Sequence, residues 1–166
     1  MKLLFDEVKV ERTLRRMAHE LLERNQDYSN IVLLGIKRNG YPMAQYLQKN
    51  IFEFEGINIP TYELDISGYR DDRKEVPLNK LNLNLENKNV ILVDDVLYTG
   101  RTIRAAMDAV VDLGRPASIQ VAVLIDRGHR ELPIRADYIG KNIPTRFEES
   151  IVVEMMDKKG VYLTTK

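Results

Sequence analysis

The chain has 166 residues, with 25 Lys+Arg against 25 Asp+Glu, two histidines and no cysteine. Its length suits a single domain over residues 1–166, and 44% hydrophobic with 30% charged residues is the composition of a globular protein with a full core. Zero formal net charge argues against indiscriminate nucleic-acid binding, and the lack of cysteine excludes disulfides and thiolate metal sites. With no signal peptide or long apolar span in view, a cytoplasmic protein with no membrane partner is expected.

Residues 10–25 are predicted as an amphipathic helix. Leu14, Met17, Ala18, Leu21 and Leu22 recur at helical spacing, while Arg12, Arg15, Arg16, Glu20 and Glu23 fall elsewhere. Residues 31–35 form a continuous apolar run, as in a buried parallel strand, and end in the polar turn 37–40 before a second helix near 41–54. Residues 57–66 read as another strand. From 67 to 89 the chain becomes charged and then rich in asparagine, which suggests an excursion or hairpin over the surface. A buried strand returns at 89–94. Residues 101–113 are predicted as a helix with Ile103, Ala106, Met107 and Val110 on one face and Gly114 as its C-terminal cap. Residues 117–125 are a strand, 126–133 a charged turn, and 138–140 and 151–155 late strand pieces. This alternation specifies an α/β domain with a mainly parallel sheet flanked by helices, whose ligand loops share one edge.

The segment Val90-Ile-Leu-Val-Asp-Asp-Val-Leu-Tyr-Thr-Gly-Arg-Thr102 carries the chemistry. Four apolar residues make the strand, so Asp94 and Asp95 are expected at its carboxyl end, where open α/β sheets bind ligands. Adjacent carboxylates repel each other, and a vicinal ribose diol donating to both, or a nearby cation, relieves that repulsion. Thr99-Gly100-Arg101-Thr102 turns directly into a helix, so backbone N–H groups and the two threonine hydroxyls form an anion site. A diol reader and a phosphate cradle a few residues apart describe a ribose 5-phosphate. No Walker loop occurs.

Residues 90–102 resemble the phosphoribosyl pyrophosphate (PRPP) signature of type I phosphoribosyltransferases. Together with Asp126-Arg-Gly-His-Arg-Glu-Leu-Pro-Ile-Arg-Ala-Asp-Tyr-Ile-Gly-Lys-Asn-Ile-Pro-Thr145, they make the chain similar to the PyrR family over about residues 11–153. That family comprises pyrimidine-operon attenuation regulators that also act as uracil phosphoribosyltransferases. The resemblance implies a type I phosphoribosyltransferase fold with a flexible loop or hairpin over the active site. It implies that Asp94 and Asp95 hold the ribose hydroxyls, and that Val96, Leu97, Tyr98, Thr99, Gly100, Arg101 and Thr102 hold the 5-phosphate. Lys37, Arg38 and Asn39 would meet the pyrophosphate, and Arg127 and the backbone near Ile151 would border the base. Arg38 and Arg70 join the two aspartates as catalytic candidates.

The implied reaction converts uracil and PRPP to uridine monophosphate (UMP) and diphosphate, with magnesium entering on PRPP rather than on a dedicated protein site. The implied RNA surface comprises Arg15, Arg16, His19, Arg24, Arg130, Arg135 and Lys141, its partner being the leader mRNA of the pyrimidine operon under control of UMP or UTP. A homodimer or a higher oligomer is expected. The chain departs from the family pattern in two places. Where the family reads Gly-Ile-Lys-Thr-Arg-Gly this chain reads Gly35-Ile-Lys-Arg-Asn-Gly40, and the return from Tyr69-Arg-Asp-Asp72 to Val90 is shorter than usual. Both departures imply weak turnover. In addition, Arg15 stands where a threonine is usual. The alternative is a uracil-salvage enzyme without RNA binding; a hypoxanthine-type transferase is disfavoured by the long match over 126–145.

Overall fold

The computed structural model describes residues 1–70 and 82–166. The expected excursion at 67–89 therefore lies partly outside the described residues, Asp71 and Asp72 included. Strand β1 (Lys2–Phe5) leads into helix α1 (Glu7–Arg24), followed by β2 (Ile31–Ile36), α2 (Gly40–Glu55) and β3 (Thr61–Leu64). After residue 81 come β4 (Asn89–Leu97), α3 (Arg101–Val111), β5 (Ser118–Asp126), β6 (Tyr138–Asn142), β7 (Glu149–Glu154) and β8 (Gly160–Thr165). Among the described residues no helix is long and apolar enough to cross a membrane.

The main sheet has the order β3-β2-β4-β5-β6 and is parallel throughout. Its two-residue side-chain period splits the core in two. Leu33, Ile91, Val93, Ala122 and Leu124 pack with α1 and α2, while Val32, Leu34, Leu92, Val121 and Val123 pack with α3. Covered on both faces, the central strands are apolar along most of their length, which is why 31–36 and 90–93 read as unbroken runs. A buried polar knot fastens α1 to this sheet. Asn25 donates to the Gln120 side chain and to the Tyr138 hydroxyl at 3.0 Å each, and Gln120 returns a bond to Asn25 at 2.7 Å.

Several boundaries differ from the sequence expectation for physical reasons. Helix α1 starts ahead of residue 10 because the Asp6 carboxylate accepts from Lys9 N at 2.9 Å and caps the first turn. Helix α3 stops at Val111, with Asp112 rather than Gly114 at its C-cap. Strand β3 occupies only the centre of the expected 57–66. Strand β4 runs past residue 94 to Leu97, because β5 beside it is equally long and keeps the ladder paired: Asp94 stands opposite Val123 and Val96 opposite Ile125. Asp94 and Asp95 thus lie inside the strand instead of emerging from its end.

A second, antiparallel sheet, β1-β8-β7, was not foreseen. Only its β7 matched a predicted strand piece, and β1 and β8 are short segments whose pairing joins distant parts of the sequence (Lys2 opposite Leu163). Local periodicity carries no trace of such a pairing.

The contact that positions the site is the approach of α2 to the middle of β4. A Cβ built on Gly40 would lie 2.3 Å from the Val93 carbonyl oxygen, so only glycine lets the helix start this close to the strand. Gly40→Ala is therefore expected to destabilise the fold by about 1–3 kcal/mol, the range for overpacking a close-packed site. A fall in the urea unfolding midpoint measures it; an unchanged midpoint would show that the loop yields freely.

Candidate functional site

Strand β2 neighbours both β3 and β4, so the chain leaves β2 toward one edge of the sheet and leaves β4 toward the other. A crevice opens between such strands at their carboxyl ends. Two clefts occupy it. One of about 290 Å³ runs along Tyr98, Thr99, Gly100 and Arg101. The other, of about 410 Å³, runs along Lys37, Arg38, Asn39 and Asp95. Arg70, Asp94, Val96 and Thr102 line both, so the clefts form one trough. Arg70 reaches it because α3 holds the preceding turn: Arg104 donates to the Tyr69 carbonyl at 3.0 Å and the Tyr69 hydroxyl to Asp112 at 2.6 Å.

The floor of the trough is the carboxylate pair. Asp94 is buried, and its Oδ1 accepts from Asp95 N at 2.9 Å. Asp95 is better provided: Oδ1 accepts from Val96 N at 2.8 Å and Oδ2 from Asn39 Nδ2 at 3.0 Å. The Lys37–Arg38 peptide beside them is cis, and both of these side chains are exposed. Lys37 lies 3.8 Å from Asp65. At the far end, Gly100 adopts φ +96°, a left-handed conformation that glycine takes without a steric penalty, and α3 begins at the next residue. Arg101 N bonds Thr99 Oγ1 at 3.2 Å, and the Arg101 guanidinium meets Glu131 at 2.9 Å. The Thr99 carbonyl accepts from Glu131 N at 2.9 Å, which ties this cradle to the segment after β5.

Arg127, within the charged turn expected at 126–133, is only 6% exposed. Its guanidinium stacks 3.9 Å from the Tyr98 ring centroid, donates to Thr145 Oγ1 at 2.9 Å and also donates to the Glu149 carbonyl. One cation thereby clamps both ends of the 145–149 loop. His129 joins it, bonded to the Thr145 carbonyl and packed against Tyr98 and Phe147. His129, Thr145 and Phe147 were missed as site neighbours. The first two lie in the Asp126-to-Thr145 motif, but their partnership is tertiary. The Ile151 side chain turns into the core, in strand β7 opposite Leu163, and does not line the trough.

The basic candidates fall into three groups. His19 stacks on Phe54 with centroids 3.8 Å apart, and the Arg15 guanidinium lies 4.7 Å from the same ring. Arg16 donates to the Gly140 carbonyl at 2.6 Å and Arg24 to Asp137 at 2.9 Å, so α1 is laced along β6, which also carries exposed Lys141. Arg130 and Arg135 are exposed on the segment between β5 and β6.

The phosphoribosyl transferase domain family matches residues 3–159. The bifunctional protein PyrR of Enterococcus faecalis is 55% identical over 96% of this chain and 92% of its own. The pyrimidine operon regulatory protein of Lactococcus lactis is 50% identical over 96% and 92%. Among solved structures, the hypoxanthine phosphoribosyltransferase of Trypanosoma cruzi superposes with a TM-score of 0.77 over 97% of this chain and 95% of that one, at 22% identity, a likeness of fold.

Burial, and then the charge of Asp95, push the Asp94 carboxyl well above the ordinary value of 3.8. The folded chain keeps a proton there that the unfolded chain releases. Its contribution to stability is full below about pH 4 and is lost as pH rises toward the folded value. Asp94→Asn, uncharged at every pH, is expected to raise the urea midpoint of the ligand-free protein at pH 8 and to converge with the parent near pH 4. A variant less stable than the parent at pH 8 would contradict this account.

Proposed function

Because the chain belongs to the phosphoribosyl transferase domain family and, within it, to the PyrR proteins, we propose that it is a uridine-nucleotide-dependent RNA-binding regulator of pyrimidine-operon attenuation with uracil phosphoribosyltransferase activity. The observation that carries the nucleotide half is the single trough joining a carboxylate pair to a glycine-initiated helix start, with arginines at its rim. Asp94 and Asp95 hold the ribose hydroxyls, and residues 96–102 enclose the 5-phosphate. Arg127 keeps the 145–149 loop and the backbone near Ile151 beside the base.

In the reaction the uracil N1–ribose C1 bond forms as the C1–diphosphate bond breaks, through an oxocarbenium-like state, and the N1 proton is released to water. Arg38, Arg70 and Lys37 present positive charge to the departing diphosphate. The paired carboxylates suit a ligand that brings its own cation, and magnesium carried on PRPP neutralises diphosphate charge. Turnover is weak, because Asn39 replaces the usual arginine and is engaged within the protein. The protein is a single-domain cytoplasmic homodimer.

The regulatory half rests on α1 and β6. A chain of zero net charge holds a polyanion through a local basic face, here Arg15, Arg16, His19 and Arg24 with Lys141, Arg130 and Arg135. Coupling between the two ligands is reciprocal: whatever factor UMP adds to RNA affinity, RNA adds to UMP affinity.

Asp95→Asn combined with Thr102→Ala is expected to weaken UMP binding at least about tenfold by calorimetry, on the scale of lost charge-assisted hydrogen bonds. Unchanged affinity would remove the site assignment. His19→Ala and Lys141→Gln are expected to weaken binding of pyrimidine-operon leader RNA in gel shifts while UMP still binds, and parental RNA affinity should fall as salt rises. Parental protein without salt-sensitive, nucleotide-dependent RNA binding would leave a uracil-salvage enzyme in its place.

A further inference from the structure

Asn39 stands where the family pattern carries an arginine, and its carboxamide does work that an arginine at that position would not do in the same place. Nδ2 carries two N–H bonds and has two acceptors: Asp95 Oδ2 at 3.0 Å and the Val153 carbonyl of β7 at 2.8 Å. The Asn39 main-chain carbonyl in turn accepts from Met43 N at 3.2 Å, inside the first turn of α2. Three segments distant in sequence therefore meet at one half-buried residue. Because Asp95 Oδ1 already accepts from Val96 N, the bond from Asn39 holds the second oxygen and stops the carboxylate from turning about its Cβ–Cγ bond.

We infer that Asn39 is a positioning residue that aims the Asp95 carboxylate at the ribose hydroxyls by tying it to strand β7 of the antiparallel sheet. The inference rests on the reading of Asp95 as a ribose ligand. Each Asp95 oxygen keeps a lone pair for a ligand hydroxyl, so a carboxylate fixed at both ends presents two acceptors in one set plane. Pre-setting that plane spares the ligand the loss of a rotor on binding. Strand β7 also contains Ile151, so the same bond links the carboxylate to the base side of the site.

The test compares UMP with its 2′,3′-dideoxy analogue, measured by calorimetry on the full chain. The parental protein should prefer UMP. Asn39→Ala and Asn39→Ser should lower UMP affinity about tenfold, the scale of one lost bond to a charged group. They should leave the affinity for the dideoxy analogue within about twofold, so that the preference collapses. The serine variant, which keeps the loop polar, carries the test should the alanine variant unfold. If both nucleotides weaken equally, or if the variants keep the parental preference, the positioning role is overturned while the ribose reading stands. If the parental protein shows no preference, the ribose reading falls and this inference with it.

Discussion

A carboxylate buried beside another carboxylate is the constraint around which this molecule is arranged. Asp94 sits in a central strand, paired with Val123 of β5 and one residue past the last β2 pair at Val93, so its backbone is held where the carboxyl is buried. The close contact of Gly40 with the Val93 carbonyl brings α2 up against the same point. The cost falls on the Asp94 carboxyl, which burial and then the charge of Asp95 hold toward its protonated form. Burying a carboxyl there costs the fold stability as pH rises, and any group that donates a hydrogen bond to it offsets that cost.

The parallel half of the fold was legible in the sequence because each central strand declares itself locally: residues 31–36 and 90–93 are apolar without interruption since both faces of the sheet are covered. The loop at 94–102 was legible for a related reason, as its chemistry is contiguous. The antiparallel sheet was not. Its register is set by pairs such as Leu3 with Tyr162, and nothing in either short segment names the other. The burial of Arg127 was equally hidden, since a run of Asp, Arg, His and Glu reads as solvent-exposed, and only tertiary structure reveals the carbonyl, hydroxyl and aromatic ring that enclose one member.

Asn39 shows how a departure from a pattern acquires meaning. By sequence it is a lost arginine beside a displaced one. In three dimensions Arg38 remains exposed along the trough while Asn39 faces inward, so the two neighbours divide between solvent and protein the tasks of charge and support. The laced contact of α1 with β6 combines tasks in a similar way: Arg16 and Arg24 bond the protein and still stay exposed, beside exposed Lys141 on the strand that they secure.

The pairing of β1 with β8 also orders events during translation. Lys2–Phe5 is made before its partner strand, Gly160–Thr165, and can pair with it only after the segments of the parallel sheet have been made. Val153, which anchors Asn39, and Thr145 and Glu149, which Arg127 clamps, are also synthesised late. A nascent chain that has emerged only as far as β5 lacks β7, and with it the Val153 carbonyl that Asn39 bonds beside Asp95. The arrangement of Asn39 and Asp95 therefore waits on β7, and β1, although made earlier, waits on β8.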